Sequence, residues 1–176
     1  EYAFSHSGIK KITIPKSVIE LDGGWCINAR QLTKITVHPD NPRYLSIDDK
    51  MIIGKSTLDQ ENYDVCVSCI QRTGIIEIPS NLDIIGPYSF ANLSIESITI
   101  PSKITKIDNY AFSQCIKLQK VEFQPDSNLK IIGKKSFECT AIESIRIPSS
   151  VEFIDESAFY LCKKLSKIEF HNDSKL

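Results

Sequence analysis

The chain has 176 residues, 41% of them hydrophobic and 24% charged, which is ample for one folded domain. Its formal net charge of −1 gives no broad field to recruit nucleic acid or an anionic membrane. No apolar run approaches the ~18 residues of a spanning helix.

The opening residues Glu1-Tyr2-Ala3-Phe4 look nothing like a secretory leader and read as the tail of an earlier repeat. Ile9-Lys10-Lys11-Ile12-Thr13-Ile14 alternates apolar and polar residues, as a half-buried strand does. Pro15 ends it, and Val18 and Leu21 turn apolar residues back to the interior. The next unit is irregular: Gly23-Gly24-Trp25-Cys26 stands where later units carry Ala-Phe. Exchanging Ala-Phe for Trp-Cys roughly keeps volume, the change cores tolerate best. Trp25 is therefore expected in the aromatic slot with blue emission, the glycines permitting a backbone shift; the alternative leaves it exposed on the convex edge. The following strand reads Leu32-x-x-Ile35-x-Val37. After Pro39 the spacing breaks, and Pro79 lies 40 residues on where two regular steps would give about 46. Repeats resume at Ile76-Glu77-Ile78-Pro79 and run to Ile168-Glu169-Phe170 without an amphipathic cap. Terminal repeats normally need a polar cap, so the chain reads as a piece of a longer protein, or as a mature chain without its leader.

Three columns carry the repeat. Ile-Pro recurs at Ile14-Pro15, Ile78-Pro79, Ile100-Pro101 and Ile147-Pro148, with looser forms at Val37-His38-Pro39 and Phe123-Gln124-Pro125. Phe4, Phe90, Phe112, Phe137 and Phe159 form an aromatic column, with steps of 22, 25 and 22 from Phe90. Leu21, Ile85, Ile107, Ile132 and Ile154 form the third, five residues before each aromatic slot. A period of 20 to 29 residues marks a leucine-rich-repeat solenoid, in which stacked units share one continuous core. One solenoid is expected over 1–176: N-terminal repeats at 1–39, an irregular island at 40–71 and C-terminal repeats at 72–176.

Two units read Ile95-x-x-Ile98-x-Ile100-Pro101, Ile104-x-x-Ile107-x-x-x-Ala111-Phe112-x-x-Cys115 and Ile142-x-x-Ile145-x-Ile147-Pro148, Val151-x-x-Ile154-x-x-x-Ala158-Phe159-x-x-Cys162. This resembles the BspA-like class of leucine-rich repeats, found in surface proteins of bacteria and protozoan parasites. The resemblance covers all but roughly thirty central residues. It implies an α/β repeat: a right-handed solenoid with a parallel β-sheet on one face and short helical turns or irregular coil on the other. It also implies an irregular β-hairpin-like island, since Asn41-Pro42-Arg43-Tyr44-Leu45-Ser46-Ile47-Asp48 is similar to the family's N-P-x-Y-x-S-I-D-G. Asp49 stands where the family has Gly, so the turn is expected to differ. Strands are expected at 51–53 and 64–70, joined by a mobile polar loop at 56–62.

Cys115, Cys139 and Cys162 fall near the end of the aromatic turn and read as one column, with Asn92 and His6 aligned to Cys139. In the family such Cys and Asn bond the backbone of a tight loop. A buried ladder of free thiols is the plain reading; a redox or metal site is the alternative, although one column lacks the convergence tetrahedral zinc needs. Cys66-Val67-Ser68-Cys69 is a lone C-x-x-C without a second pair. Residues three apart on a strand face opposite ways, so its sulfurs are expected to diverge. His38 and His171 sit at corresponding corners, and no phosphate loop or nucleophile elbow appears. No catalytic residue, metal or cofactor is expected. Asn92 and Asn172 match the N-glycosylation pattern; Asn92 is expected to be buried, while Asn172 could accept a glycan on a secreted protein.

The most informative surface is the outward face of the strands. Its candidate residues are Lys11, Thr13, Lys34, Thr36, Glu77, Thr99, Lys120, Glu122, Arg146, Lys167 and Glu169, with Ile75, Ser97 and Ser144 beside them. Solenoids use such stacked faces to bind partners. The absence of aromatics disfavours single-stranded nucleic acid; a protein or glycan fits better. The resemblance implies a non-enzymatic cell-surface or secreted module that adheres to host proteins, matrix or other cells. An intracellular scaffold is the alternative, favoured by free thiols. Open solenoid ends suggest end-to-end self-association.

Overall fold

The computed structural model describes residues 2–72, 74–171 and 173–174. In chain order its strands are β1 (Lys11–Ile14), β2 (Lys34–Val37), β3 (Tyr44–Ile47), β4 (Met51–Gly54), β5 (Val65–Cys69), β6 (Ile84–Ile85) and β7 (Ser97–Ile100). The rest are β8 (Lys106–Ile107), β9 (Lys120–Phe123), β10 (Ile131–Ile132), β11 (Ser144–Ile147), β12 (Phe153–Ile154) and β13 (Lys167–Phe170).

These strands form two lines along a β-solenoid. The first holds the alternating segments before each proline. They join as three separate parallel pairs, β1–β2, β7–β9 and β11–β13. Each pair sits in a register of 23 residues, as in Ile12↔Ile35, Ile98↔Val121 and Ile145↔Ile168. The expected single sheet is thus interrupted. Among the described residues no strand forms at 75–78, although Ile76 and Ile78 are buried there, and no ladder joins β9 to β11.

The second line is one seven-stranded sheet in the order β12-β10-β8-β6-β5-β4-β3. Its short parallel strands carry the third sequence column, and Ile85, Ile107 and Ile132 are fully buried in it. The island extends this sheet as an antiparallel meander, β3–β4–β5. Strands therefore occupy both segments expected from the island, and β3 adds a third. Its hairpin turns through Asp48 (φ 49°) and Asp49 (φ 55°), with the Lys50 N–H donating to the Ile47 carbonyl at 3.0 Å. Positive φ at both central residues is the type I′ geometry that suits strand twist, so two aspartates do what glycine would have done.

Of the helical turns or irregular coil expected on the far face, turns and coil form, and the α/β class gives way to all-β, because no helix occurs among the described residues. Each corner carries two residues at positive φ that bracket the aromatic, such as Tyr88 and Asn92, Tyr110 and Gln114, or Lys135 and Cys139. A left-handed residue ends a right-handed helical run, so each corner closes as tight turns. Phe90, Phe112, Phe137 and Phe159 stack through those corners at centroid spacings of 5.1, 5.3 and 5.4 Å, near parallel.

Two hydrophobic clusters fill the coil. The smaller gathers Ile14, Trp25, Ala29, Leu32, Ile35, Tyr44, Ile52 and Ile70. The larger runs from Met51 and Ile53 through the aromatic stack to Ala158. β4 divides them: Ile52 faces one and its neighbours on either side face the other, as the period of two requires.

Trp25 is buried at 3% exposure, edge-on to Phe4 at 6.1 Å. The backbone nevertheless places it one residue from the expected slot. Its carbonyl accepts from the Phe4 N–H at 2.7 Å, as those of Ala111, Ser136 and Ala158 accept from the preceding aromatic of the stack. Trp25 thus holds the small-residue slot and Cys26 the aromatic one. Gly24, at φ +73°, marks the same left-handed position as Tyr88 and Tyr110.

Candidate functional site

Alternation along the first strand line turns Lys11 and Thr13, Lys34 and Thr36, Thr99, Lys120 and Glu122, Arg146, and Lys167 and Glu169 away from the core. The structure divides them into patches. On β1–β2 the rung Thr13↔Thr36 closes with a hydroxyl hydrogen bond of 2.8 Å. The rung Lys11↔Lys34 sets two cations side by side, and Lys34 swings to Asp49 at 2.7 Å. Thr99 lies opposite Glu122 on β7–β9. Glu77 is exposed but belongs to no strand.

The third patch is a groove. Lys120, Glu122, Arg146, Lys167 and Glu169 line a concavity of about 800 Å³ across β9, β11 and β13. Ser144, Phe123, Gln124, Asp126 and His171 are among the other lining residues; Ser144 is an expected neighbour, Phe123 closes β9, and Gln124, Asp126 and His171 lie past the alternating positions where sequence pattern ends. Lys120 pairs with Glu122 at 2.6 Å, Arg146 with Glu169 at 2.8 Å, and Lys167 also reaches Glu169. Those two cations hold the Glu169 carboxyl below its ordinary range. Arg146 remains 77% exposed.

The sequence profile described as "BspA type Leucine rich repeat region" matches residues 1–71 and 64–175, in six copies. The chain belongs to this family. No curated protein matches it. Among solved structures, the pneumococcal vaccine antigen PcpA superposes with a TM-score of 0.83 at 20% identity, over 98% of this chain and 42% of that one. A leucine-rich cell surface protein of Faecalibacterium prausnitzii gives 0.73 at 24% identity, over 98% and 50%. A leucine-rich-repeat protein of Eubacterium ventriosum gives 0.70 at 24%, over 96% and 50%. These likenesses establish the fold, and the chain spans half or less of each neighbour's length.

In this BspA-type solenoid the thiol column differs from the one expected. Cys115 and Cys162 stand three residues past their aromatics, buried, and each S–H donates at 3.0 Å to a carbonyl of the preceding coil, Phe90 or Phe137. Cys139 is one residue out of step: it holds the left-handed slot with Asn92 and His6, and Thr140 takes the column position, 3.1 Å from the Cys162 sulfur. Asn92, expected to be buried, is half-buried for the same reason. Asn172 lies outside the described residues.

The sulfurs of Cys66 and Cys69 do not diverge. A β-bulge shifts the β4–β5 register so that Ile52 faces Ser68 and Ile53 faces Cys66. Val67 is the extra residue, and it restores both cysteines to one buried face within the larger cluster. Burial pushes the Cys69 thiol up to about 11 and those of Cys26 and Cys115 up to about 12; Cys66 is raised as well, by burial and then by Cys69. These thiols stay protonated and unreactive at neutral pH. Among the described residues no three His, Cys, Asp or Glu side chains could hold a metal ion together, and no helix is long and apolar enough to cross a membrane. His38 and His171 are the corner residues expected, each Nδ1 accepting from the backbone N–H two residues on.

Sequence reasoning missed an aromatic stripe along the corners of the BspA-type coil. Tyr2 meets Tyr88 edge-on at 5.8 Å, Tyr88 stacks on Tyr110 at 4.7 Å, and Lys135 lies over Tyr110 and Tyr160. The signal was present: Tyr2, Tyr88 and Tyr110 each stand two residues before an aromatic of the column.

Proposed function

We propose that this chain is a non-enzymatic interaction module, displayed at the cell surface or secreted, which holds a protein or glycan partner on its exposed strand face in an adhesive role. The observation that carries this reading is the groove over β9, β11 and β13, where Lys120, Arg146 and Lys167 alternate with Glu122 and Glu169. Exposed ion pairs contribute little to stability, so a partner's charged or hydroxyl groups can replace them at small cost. Phe123 is the one aromatic ring besides His171 in the lining, far from the series of stacking platforms that single-stranded nucleic acid needs. Surface display is supported by family membership and by two structural neighbours whose names are those of a vaccine antigen and a cell surface protein.

An intracellular scaffold is the second reading, favoured by six free cysteines, because exported proteins usually oxidise theirs. An antibody raised to this chain separates the two. Labelling of intact source cells is the expected result; labelling only after permeabilisation would move the function inside the cell. With display established, binding to matrix proteins and glycans is expected to weaken in Arg146→Glu/Lys167→Glu and to persist in Lys11→Glu. Equal loss in both variants, or in neither, would remove the groove from the function.

A further inference from the structure

Several irregular residues of the repeat meet at one place. A small, partly open cavity of about 20 Å³ lies between the 24–28 corner, β5 and the Tyr88–Leu93 turn. Trp25, Ser68, Arg72 and Ser89 are among its lining residues. Trp25 Nε1, Ser68 Oγ, Arg72 Nε and Ser89 Oγ are each buried without a hydrogen-bond partner in the protein. Folded proteins satisfy nearly all such atoms; the two serine hydroxyls have the Cys26 and Cys66 thiols beside them, so it is the Trp25 and Arg72 nitrogens that call for a ligand.

The volume suits a single water-sized particle, since about 10–15 Å³ of such space is needed for one water. The bonding also balances. Indole N–H and guanidinium Nε–H only donate, while a hydroxyl oxygen can accept. A water molecule has two lone pairs to take the Trp25 and Arg72 protons and two hydrogens to give to Ser68 and Ser89. Each serine hydrogen is then left for a neighbouring thiol, Ser68 beside Cys26 and Ser89 beside Cys66. We propose that this cavity binds one ordered water bridging Trp25 Nε1, Arg72 Nε, Ser68 Oγ and Ser89 Oγ. The water lies at the seam of the two cores, with Trp25 and Ile70 from one and Cys69 and Leu93 from the other. It ties the irregular corner to the island strand and to the first regular repeat. The Arg72 guanidinium, whose Nη2 donates to the Ala29 carbonyl at 3.1 Å, makes a halide ion the rival occupant.

High-resolution diffraction from crystals of the 176-residue chain, with and without a sodium bromide soak, decides between them. The expected result is one oxygen-sized peak within about 2.7–3.2 Å of Trp25 Nε1 and Arg72 Nε, with no anomalous bromine signal after soaking. A bromine peak at that point would replace water by a halide. An empty cavity, or a peak beyond reach of both nitrogens, would overturn the proposal. In solution Trp25 is the only tryptophan, so its indole proton is a single resonance. A water cross-peak with the sign of a long-lived bound molecule is expected on it, and its absence would count equally against the bridge.

Discussion

The Tyr2 hydroxyl donates to the Tyr88 hydroxyl at 2.8 Å although 86 residues separate them, and the two rings close over Gly24. A Cβ at Gly24 would stand 2.9 Å from Tyr2 Cε1 and 3.4 Å from Tyr88 Cγ, on a backbone at φ +73°. The island leaves the coil between these corners, and glycine lets the coils on either side of it approach. Gly24→Ala therefore meets two penalties, left-handed strain and the Tyr2 ring. A loss of about 1–2 kcal/mol is expected, read from the urea midpoint. Tyr2→Ala combined with Gly24→Ala should cost less than the sum of the two single changes, because the truncated ring no longer opposes the methyl.

The aromatic stack makes a graded prediction. Phe112 has a ring on each side, Phe90 and Phe137, and is fully buried. Phe159 has one stacked neighbour and is partly exposed. Phe112→Ala should cost about 3–5 kcal/mol, and Phe159→Ala clearly less. Because each coil contacts only its neighbours, combining Phe112→Ala with Phe137→Ala should depart from additivity. Equal costs at Phe112 and Phe159 would mean that the stack does not carry the stability assigned to it.

The columns were readable because each marks a position with one physical demand. Ile85, Ile107 and Ile132 must fill the core, and prolines such as Pro15, Pro101 and Pro148 must stop the strands before them, so spacing located the coils, while the two strand segments of the island came from the likeness of residues 41–48 to the family's island. What could not be read were positions whose demand is conformational and is met by an ordinary residue. Tyr88, Lys135 and Cys139 adopt positive φ without being glycine, so nothing in the sequence announced that the corners cannot be helical. The Val67 bulge inverts the strand parity on which the Cys66–Cys69 argument relied. The Trp25-Cys26 exchange hid a slot assignment that Gly24, Asn28 and the Phe4–Trp25 backbone bond reveal. The groove spans β9 and β11, which no ladder joins. Those strands start 24 residues apart where each paired couple is 23 apart, a difference of one residue that is visible in the sequence but has no meaning until the pairing is known.

The polar loop of the island is pinned from below. Asp64 is 5% exposed and accepts from the Ser56 N–H at 2.7 Å, the Ser56 hydroxyl at 2.6 Å and the Gln60 side chain at 3.1 Å. Removing the carboxylate leaves the Ser56 N–H without its acceptor. Asp64→Ala should destabilise by about 1–3 kcal/mol and make residues 56–62 the first site of limited proteolysis. Asp64→Asn should be milder, since its carbonyl oxygen can still accept from Ser56. Unchanged cleavage in Asp64→Ala would show that the loop is already free.

The buried thiols predict alkaline instability of definite sign. Burial disfavours thiolate, so the folded values rise from about 9 to about 11 at Cys69 and about 12 at Cys26 and Cys115. In the unfolded chain the same groups ionise near their ordinary value. The unfolded state thus releases protons first as pH rises, and stability falls with pH in that window. The contribution is whole below pH 9 and is lost progressively between about pH 9 and 12, at roughly 1.4 kcal/mol per unit of separation for each group. Under reducing conditions the denaturation midpoint should fall steeply over that range, and less steeply in Cys26→Ala. Thiolate absorbance at pH 10 should be far lower in the folded protein than in guanidinium. Equal absorbance in the two states would mean that these thiols are open to solvent, contradicting the buried face on which the Val67 bulge places Cys66 and Cys69.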